Sequence, residues 1–113
     1  MIAETNSLYM DILGQSTRFM HGDCIKYQGG VGGVHVPLIK WIDRANRSIR
    51  ADHTFLGHFH QIIMGGNYSV NSSLCGAMPY GMRAGYGSEP PQQLLRCIDS
   101  ERGFTIAAPI FVD

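Results

Sequence analysis

Phe55-Leu56-Gly57-His58-Phe59-His60 is the stretch that decides the fold class of this chain. A short apolar run is followed by a glycine and then by two histidines spaced one residue apart. We interpret the run as the end of a buried strand and Gly57 as the point where the backbone turns sharply into a loop. Imidazole is a ligand for Mn, Fe, Zn and Ni. The stretch predicts a strand-end metal site, although Gly-His-x-His alone is a weak signal in a chain with five histidines.

Residues 19–23, with the sequence Phe-Met-His-Gly-Asp, repeat this pattern earlier in the chain. An apolar strand end precedes His21, a glycine follows, and then a carboxylate. Cys24 comes next and could be a ligand, but we favour a small buried apolar role for it. His35 and His53 have no comparable setting, and we interpret both as structural or surface residues.

Size and composition limit the range of functions. The 113 residues allow one domain, 1–113, and 16% charged residues is low against a typical value of about 25%. The formal net charge is zero and no basic run is present, so there is no electrostatic basis for sequence-independent nucleic-acid binding. No apolar stretch approaches the roughly 20 residues of a membrane helix, so we expect no membrane span.

The cysteines and the N-terminus indicate a cytoplasmic location. Cys24, Cys75 and Cys97 are odd in number and contain no C-x-x-C pattern, which favours reduced thiols. Residues 1–6 lack the charged region and apolar core of a signal peptide.

Periodicity predicts one main helix and three hairpins. Leu38, Ile42 and Ala45 fall on one face of a helix over about 37–50, whose basic residues we interpret as a solvated face. The predicted hairpins pair 8–13 with 17–20 around residues 14–16, 61–64 with 68–70, and 94–98 with 104–107. A further buried strand is predicted at 54–56. Fourteen glycines argue against a helical bundle.

A glycine-rich loop follows the first hairpin. It begins with Tyr27, Gln28, Gly29 and Gly30 and contains no phosphate-binding glycine pattern. We leave open whether it is a substrate-side loop or a flexible connection.

Three segments in order carry a family resemblance: Met-His-Gly-Asp at 20–23, Gly-His-Phe-His at 57–60, and Val-Asn-Ser-Ser at 70–73. The set resembles the C-terminal half of calcineurin-like metallophosphoesterases. It is most similar to phage-encoded members, which carry segments like 27–33, 89–93 and 109–111. The resemblance runs from about Leu8 to Val112. It implies an α/β fold, half of a metallophosphoesterase β-sandwich, with a mixed sheet of hairpins and one main helix (about 37–50).

The resemblance also implies site residues and chemistry. His21 and His58 match ligands of one metal ion and His60 matches a ligand of a second. We infer separately that Asp23 and Asn71 would orient those ligands. Tyr27, Gln28, Gly29 and Gly30 would form a substrate loop. The implied reaction is hydrolysis of a phosphoester or phosphodiester by a metal-activated water, with Mn, Fe, Zn or Ni as the divalent ion.

The chain departs from the family pattern because the family's N-terminal ligand motifs, including the bridging carboxylate, have no counterpart. Lys26 and Tyr68 stand where two near-matches would need an aspartate and a histidine. A two-metal site within this chain alone is therefore not expected, and the ion could be absent altogether.

Two functional hypotheses remain open. In the first, this is the metal-binding C-terminal portion of a phage-type phosphoesterase whose missing ligands come from another chain. Its substrate would be a phosphodiester such as nucleic acid, although the neutral net charge does not support nucleic-acid binding. In the second, it is a non-catalytic phage-type protein that blocks a host defence complex through its exposed sheet or its glycine-rich loops. A truncated product is a third possibility.

Half of a sandwich should expose an apolar sheet face, so we expect a homodimer or another polypeptide partner. The resemblance places the protein in the cytoplasm of a phage-infected or prophage-bearing cell.

Overall fold

The structure is a computed structural model, and it describes residues 2–4, 6–26, 33–74 and 90–112. The predicted substrate loop Tyr27, Gln28, Gly29 and Gly30 lies outside these ranges, as does Cys75. The elements are β1 (Ile2–Glu4), β2 (Ser7–Ile12), β3 (Gln15–Met20), α1 (His35–Ser48), β4 (His53–Leu56), β5 (Ile63–Met64), β6 (Tyr68–Val70), β7 (Gln92–Asp99) and β8 (Gly103–Phe111).

Two sheets make up the architecture. Six strands form a mixed sheet in the order β1-β2-β3-β4-β6-β5, and β7 and β8 form a separate antiparallel pair. The β3–β4 and β4–β6 pairs are parallel and the remaining pairs are antiparallel. Parallel pairing places the carboxyl ends of β3, β4 and β6 at one edge, where open α/β sheets carry their ligand sites. The prediction of a mixed sheet of hairpins with one helix is confirmed among the described residues.

The turn between β2 and β3 is shorter than predicted. Leu13 and Gly14 both have positive φ, 51° and 82°, as a two-residue turn of mirror-image type requires. The Gly14 N–H donates to Asp11 Oδ1 at 2.9 Å. Gln15 and Ser16, predicted as loop, therefore begin β3, because the two-residue turn matches the twist of the strands.

The helix spans residues 35–48, two residues earlier at each end than predicted. Pro37 sits in the first turn, where its missing N–H leaves no helical hydrogen bond unmade. Leu38 and Ile42 are buried, which confirms the predicted apolar face. The helix ends where Ile49 turns extended, and no helix among the described residues is long and apolar enough to cross a membrane.

α1 covers one face of the six-stranded sheet. Its buried residues pack with a core cluster that includes Leu56, Phe59 and Val70. The strand registers align Tyr9 with Arg18, Arg18 with Thr54, and Thr54 with Tyr68 across this face. Because the hydrophobic contacts fix these registers, they also fix which residues meet at the strand ends.

Arg18 is completely buried beneath the helix, a feature that the sequence did not indicate. Its guanidinium donates to Tyr9 Oη and Thr54 Oγ1, each at 3.0 Å. It also donates to Asn46 Oδ1 at 2.8 Å and to the Ile49 carbonyl at 2.6 Å. These neutral acceptors replace the hydration that a buried cation loses, so Arg18 joins the sheet to the end of the helix.

The β7–β8 hairpin covers part of the opposite face. Phe104 packs against Phe55 and His53, with ring centroids 5.3 and 4.2 Å apart. His53 is buried, and its Nε2 lies 2.7 Å from Ser69 Oγ. Burial, and secondarily the positive charge of Arg96, lowers the pKa of His53 to about 4. His53 is thus a neutral core residue, in agreement with its predicted structural role.

Candidate functional site

His21 and His58 meet at the carboxyl edge of the parallel strands. His21 directly follows β3, and His58 is the second residue after β4. Their ring centroids lie 5.2 Å apart with planes inclined at 57°. The Gly57 N–H donates to the His21 carbonyl at 2.9 Å, which ties the two segments together. The structure therefore brings together two of the three predicted ligands.

Gly22 is the glycine that permits this approach. Its φ is +107°, and a Cβ built there would lie 3.1 Å from Leu56 Cδ1 and 3.2 Å from the Gly57 carbonyl oxygen. The expectation that Gly57 supplies the special turn is wrong, because the left-handed residues of the second segment are His58 and His60, with φ of 70° and 56°.

A buried phenylalanine holds these two strained histidines in place. Phe59, between them, is 1% exposed and belongs to the core cluster. Left-handed backbone costs a residue with a side chain roughly 1–2 kcal/mol. Such strain persists when surrounding packing fixes the backbone, and it concentrates at functional sites. Burial of Phe59 thereby fixes the backbone that carries His58 and His60 on either side of it.

The charges of His21, Asp23 and His60 all act on the imidazole of His58. Partial burial lowers the pKa of His58, the positive charges of His21 and His60 lower it further, and Asp23 acts in the opposite direction. The net effect favours the neutral imidazole, which is the form that binds a metal ion. His60 is additionally positioned through its backbone, since Ser72 Oγ donates to its carbonyl at 3.5 Å.

The described residues do not by themselves form a complete metal site. No group of three or more histidine, cysteine, aspartate or glutamate side chains within the described ranges is placed to hold an ion. His21 and His58 form a pair of imidazoles, and neither His60 nor Asp23 converges with them closely enough to complete a set.

Asn71, at the carboxyl end of β6, connects the strand to the second sheet. Its Nδ2 donates to Gln93 Oε1 at 2.8 Å, and its Oδ1 accepts from the Leu94 and Ser72 N–H groups at 2.8 and 3.0 Å. It also lines a mainly apolar cavity of about 340 Å³ with Gly57 and Leu94. The observed contacts give Asn71 a part in joining the sheets at this edge.

Cys24, a possible ligand from the sequence, and His35, interpreted as a structural or surface residue, both lie elsewhere. Cys24 is exposed, so the expectation that it is a buried apolar residue is wrong: it lies on the turn after His21, outside the core. Desolvation raises the pKa of its thiol; a backbone hydrogen bond opposes this and Asp23 adds to it. His35 starts α1, with its Nδ1 3.1 Å from Tyr68 Oη. Neither belongs to the His21–His58 pair.

Comparison with known proteins establishes the fold. Neither a protein-family model nor a curated protein matches the chain. A crystal structure of a single mutant of Vps29 from Entamoeba histolytica superposes with a TM-score of 0.60 at 15% identity, over 100% of this chain and 64% of that one. Wild-type Vps29 from the same organism, complexed with Zn²⁺, gives 0.60 at 16% identity, over 98% and 63%.

The chain thus spans about 64% of the length of Vps29. At these identities the likeness concerns architecture, and it confirms the predicted fold class. This chain has the fold of Vps29, a calcineurin-like metallophosphoesterase-fold protein.

Proposed function

We propose that this chain is the metal-binding C-terminal portion of a phage-type calcineurin-like metallophosphoesterase. Its activity would require ligands supplied by another polypeptide. The observation that carries the proposal is the proximity of His21 and His58, 5.2 Å between ring centroids, at the ends of adjacent parallel strands. The Vps29 fold, and the Zn²⁺ complex of one Vps29 structure, support it.

The chain's own residues would bind and orient the ion. His21 and His58 offer two imidazoles, and the buried Phe59 fixes the backbone that carries the second of them. A divalent ion at this pair would supply Lewis acidity toward a phosphoryl oxygen. We propose His60 as the ligand for a second ion and Asp23 as a residue that orients one of the ligands. The reduced cysteines are compatible with the cytoplasm of a phage-infected cell.

Metal titration tests the proposal directly. The chelator-treated chain should bind Mn²⁺ or Zn²⁺ in calorimetry with a dissociation constant of about 10 μM or below, and His21→Ala or His58→Ala should weaken binding at least about tenfold, the effect of losing one ligand. His35→Ala is the matched control, because it removes an imidazole outside the pair. The same affinity in the wild type and both pair variants, or no binding at all, would refute the half-site.

A second candidate function is favoured by exposed apolar residues on the β7–β8 hairpin. Leu95, Ile106 and Ile110 are 47%, 62% and 50% exposed. Apolar side chains grouped on a small sheet are typical of a protein-binding surface. We propose a second copy of the chain as the occupant. The alternative to an enzyme is a non-catalytic function, in which the chain uses this surface to block a host defence complex.

Light scattering on a size-exclusion column distinguishes these states. The wild-type chain should elute as a dimer, and Leu95→Asp with Ile110→Asp should convert it to a monomer with unchanged circular dichroism. Ser100→Asp, in the exposed turn of the same hairpin, should leave the dimer intact. A wild-type monomer at high concentration would exclude the homodimer. A complex with a host protein that survives His21→Ala and His58→Ala would favour the non-catalytic function.

A further inference from the structure

A second cavity lies away from the apolar one, between the loop after His21 and the outer side of α1. It measures about 250 Å³, and Cys24, Lys26, Lys40, Trp41 and Arg44 contribute to its lining. An adjoining and more open space of about 450 Å³ shares Cys24, Trp41 and Arg44. The larger space has a volume typical of small-ligand sites, which measure roughly 300–1,000 Å³, and the smaller cavity lies just below that range.

Three cations face this space without a compensating anion among the described residues. Lys26, Lys40 and Arg44 are exposed, and none forms an ion pair with another residue that the structure describes. Asp23 and Asp43 are their near neighbours in sequence, but neither lines the cavity. In a chain of zero formal net charge, three cations at one concavity are a local concentration that attracts an anion.

The spacing along the helix strengthens this interpretation of the charges. Lys40 and Arg44 are four residues apart, so they are neighbours on one helix face, where like charges repel and destabilise a helix. A bound phosphate would convert this repulsion into two charge-assisted contacts. Lys26 lines the same cavity from the loop after His21, so an anion there has cations from two segments of the chain around it.

Trp41 adds an aromatic surface to the cationic one. It is partly buried against the core cluster, and the Arg18 guanidinium lies 5.6 Å from its ring centroid. These contacts hold the indole in a fixed orientation, and it also lines both parts of the cavity. A fixed indole beside cations is suited to a flat ring that carries a phosphate, because nucleobases stack favourably on aromatic side chains.

We propose that this cavity binds a mononucleotide. Lys26, Lys40 and Arg44 hold its phosphate, and its base stacks on Trp41. The site is independent of the His21–His58 pair and does not rest on the proposed metal function. The sequence did not indicate it because the basic residues of α1 have the pattern of a solvated face, and only the fold brings Lys26 beside them.

The test uses Trp41 as its own reporter, since the chain contains one tryptophan. AMP, adenosine and inorganic phosphate are titrated into the full chain in chelator, which removes any metal-dependent binding. AMP should quench the fluorescence with a dissociation constant below about 1 mM, and Lys40→Gln with Arg44→Gln should weaken binding at least about tenfold, as two charge-assisted contacts require. Arg47→Gln, on the same helix and outside the cavity, is the matched control and should bind like the wild type.

Each remaining outcome bears on one part of the proposal. Unchanged AMP affinity in the double variant, with wild-type circular dichroism, would overturn the phosphate contacts, and so would the absence of both quenching and calorimetric heat. Inorganic phosphate binding as tightly as AMP would overturn the stacking on Trp41. In calorimetry, Trp41→Phe should weaken AMP binding more than phosphate binding. Loss of AMP binding in His21→Ala would overturn the independence of the two sites.

Discussion

Replacing Arg18 with methionine tests the contact that joins α1 to the sheet. The side chain is 0% exposed and donates hydrogen bonds to four acceptors. After the substitution, Asn46 Oδ1 retains the Ala51 N–H at 3.1 Å. The Thr54 hydroxyl can reorient, but the Ile49 carbonyl, bonded to Arg18 at 2.6 Å, loses that partner inside the protein.

The magnitude follows from these losses. One or two stranded acceptors at about 1–3 kcal/mol each predict a loss of about 2–4 kcal/mol in the free energy of unfolding. The methionine recovers part of the volume, and relief of the buried charge opposes the loss. Against the roughly 5–15 kcal/mol typical of a folded domain, this is a large fraction of the stability.

Urea unfolding followed by far-ultraviolet circular dichroism measures the effect. Trp41 fluorescence serves as a second probe, because the Arg18 guanidinium lies 5.6 Å from that ring. Arg47→Gln, an exposed cation on the same helix, should change the free energy of unfolding by less than about 0.5 kcal/mol. A methionine variant as stable as the wild type, or more stable, would refute the reasoning. It would show that the desolvation cost of the guanidinium equals or exceeds its hydrogen bonding.

Three further predictions concern Gly22 and Asn71, near the candidate site, and the core residue His53. Gly22→Ala should lower the free energy of unfolding in urea more than Gly14→Ala does. Both glycines have positive φ, but of the two only Gly22 has neighbours that a Cβ would meet, the nearest at 3.1 Å. Equal losses in the two variants would contradict this. The pKa of His53 is about 4 in the folded protein, below the ordinary 6.5, so the unfolded state binds the proton more readily between these values. The free energy of unfolding is therefore highest above pH 6.5 and falls by up to about 3 kcal/mol as the pH drops toward 4. Unfolding measured across this range should be less pH-dependent in His53→Gln, and an unchanged slope would show that another group is responsible. Asn71→Ala should cost about 2 kcal/mol and speed amide hydrogen exchange at Leu94, whose N–H donates to Asn71 Oδ1; unchanged exchange there would rule out this link between the sheets.

Features that depend on local periodicity were predictable from the sequence. The apolar face of α1 with Leu38 and Ile42, and the three hairpins, follow from patterns of 3.6 and two residues that any window of the chain displays. Boundaries shifted by one to four residues, because helix ends and turn geometry depend on backbone angles that composition does not specify. The two-residue turn at Leu13-Gly14 is an example, since an ordinary leucine had to adopt positive φ.

Features that depend on which strands become neighbours required the tertiary structure. Nothing in the sequence around Arg18 indicates burial, because its acceptors come from β2, β4 and the end of α1, up to 36 residues away along the chain. Cys24 was misplaced for a related reason: an apolar preference carries no information on which side of a loop faces the core.

The same distinction between local and tertiary features applies to the two histidines of the candidate site. The sequence alone determined that His21 and His58 end apolar runs beside glycines, because strand ends and turns are local. Only the parallel register of β3 and β4, together with the close approach at Gly22, decided that the two rings lie 5.2 Å apart. Register is set by burial of whole faces across several strands, so the distance between two side chains is a property of the packed sheet and cannot be read from either segment.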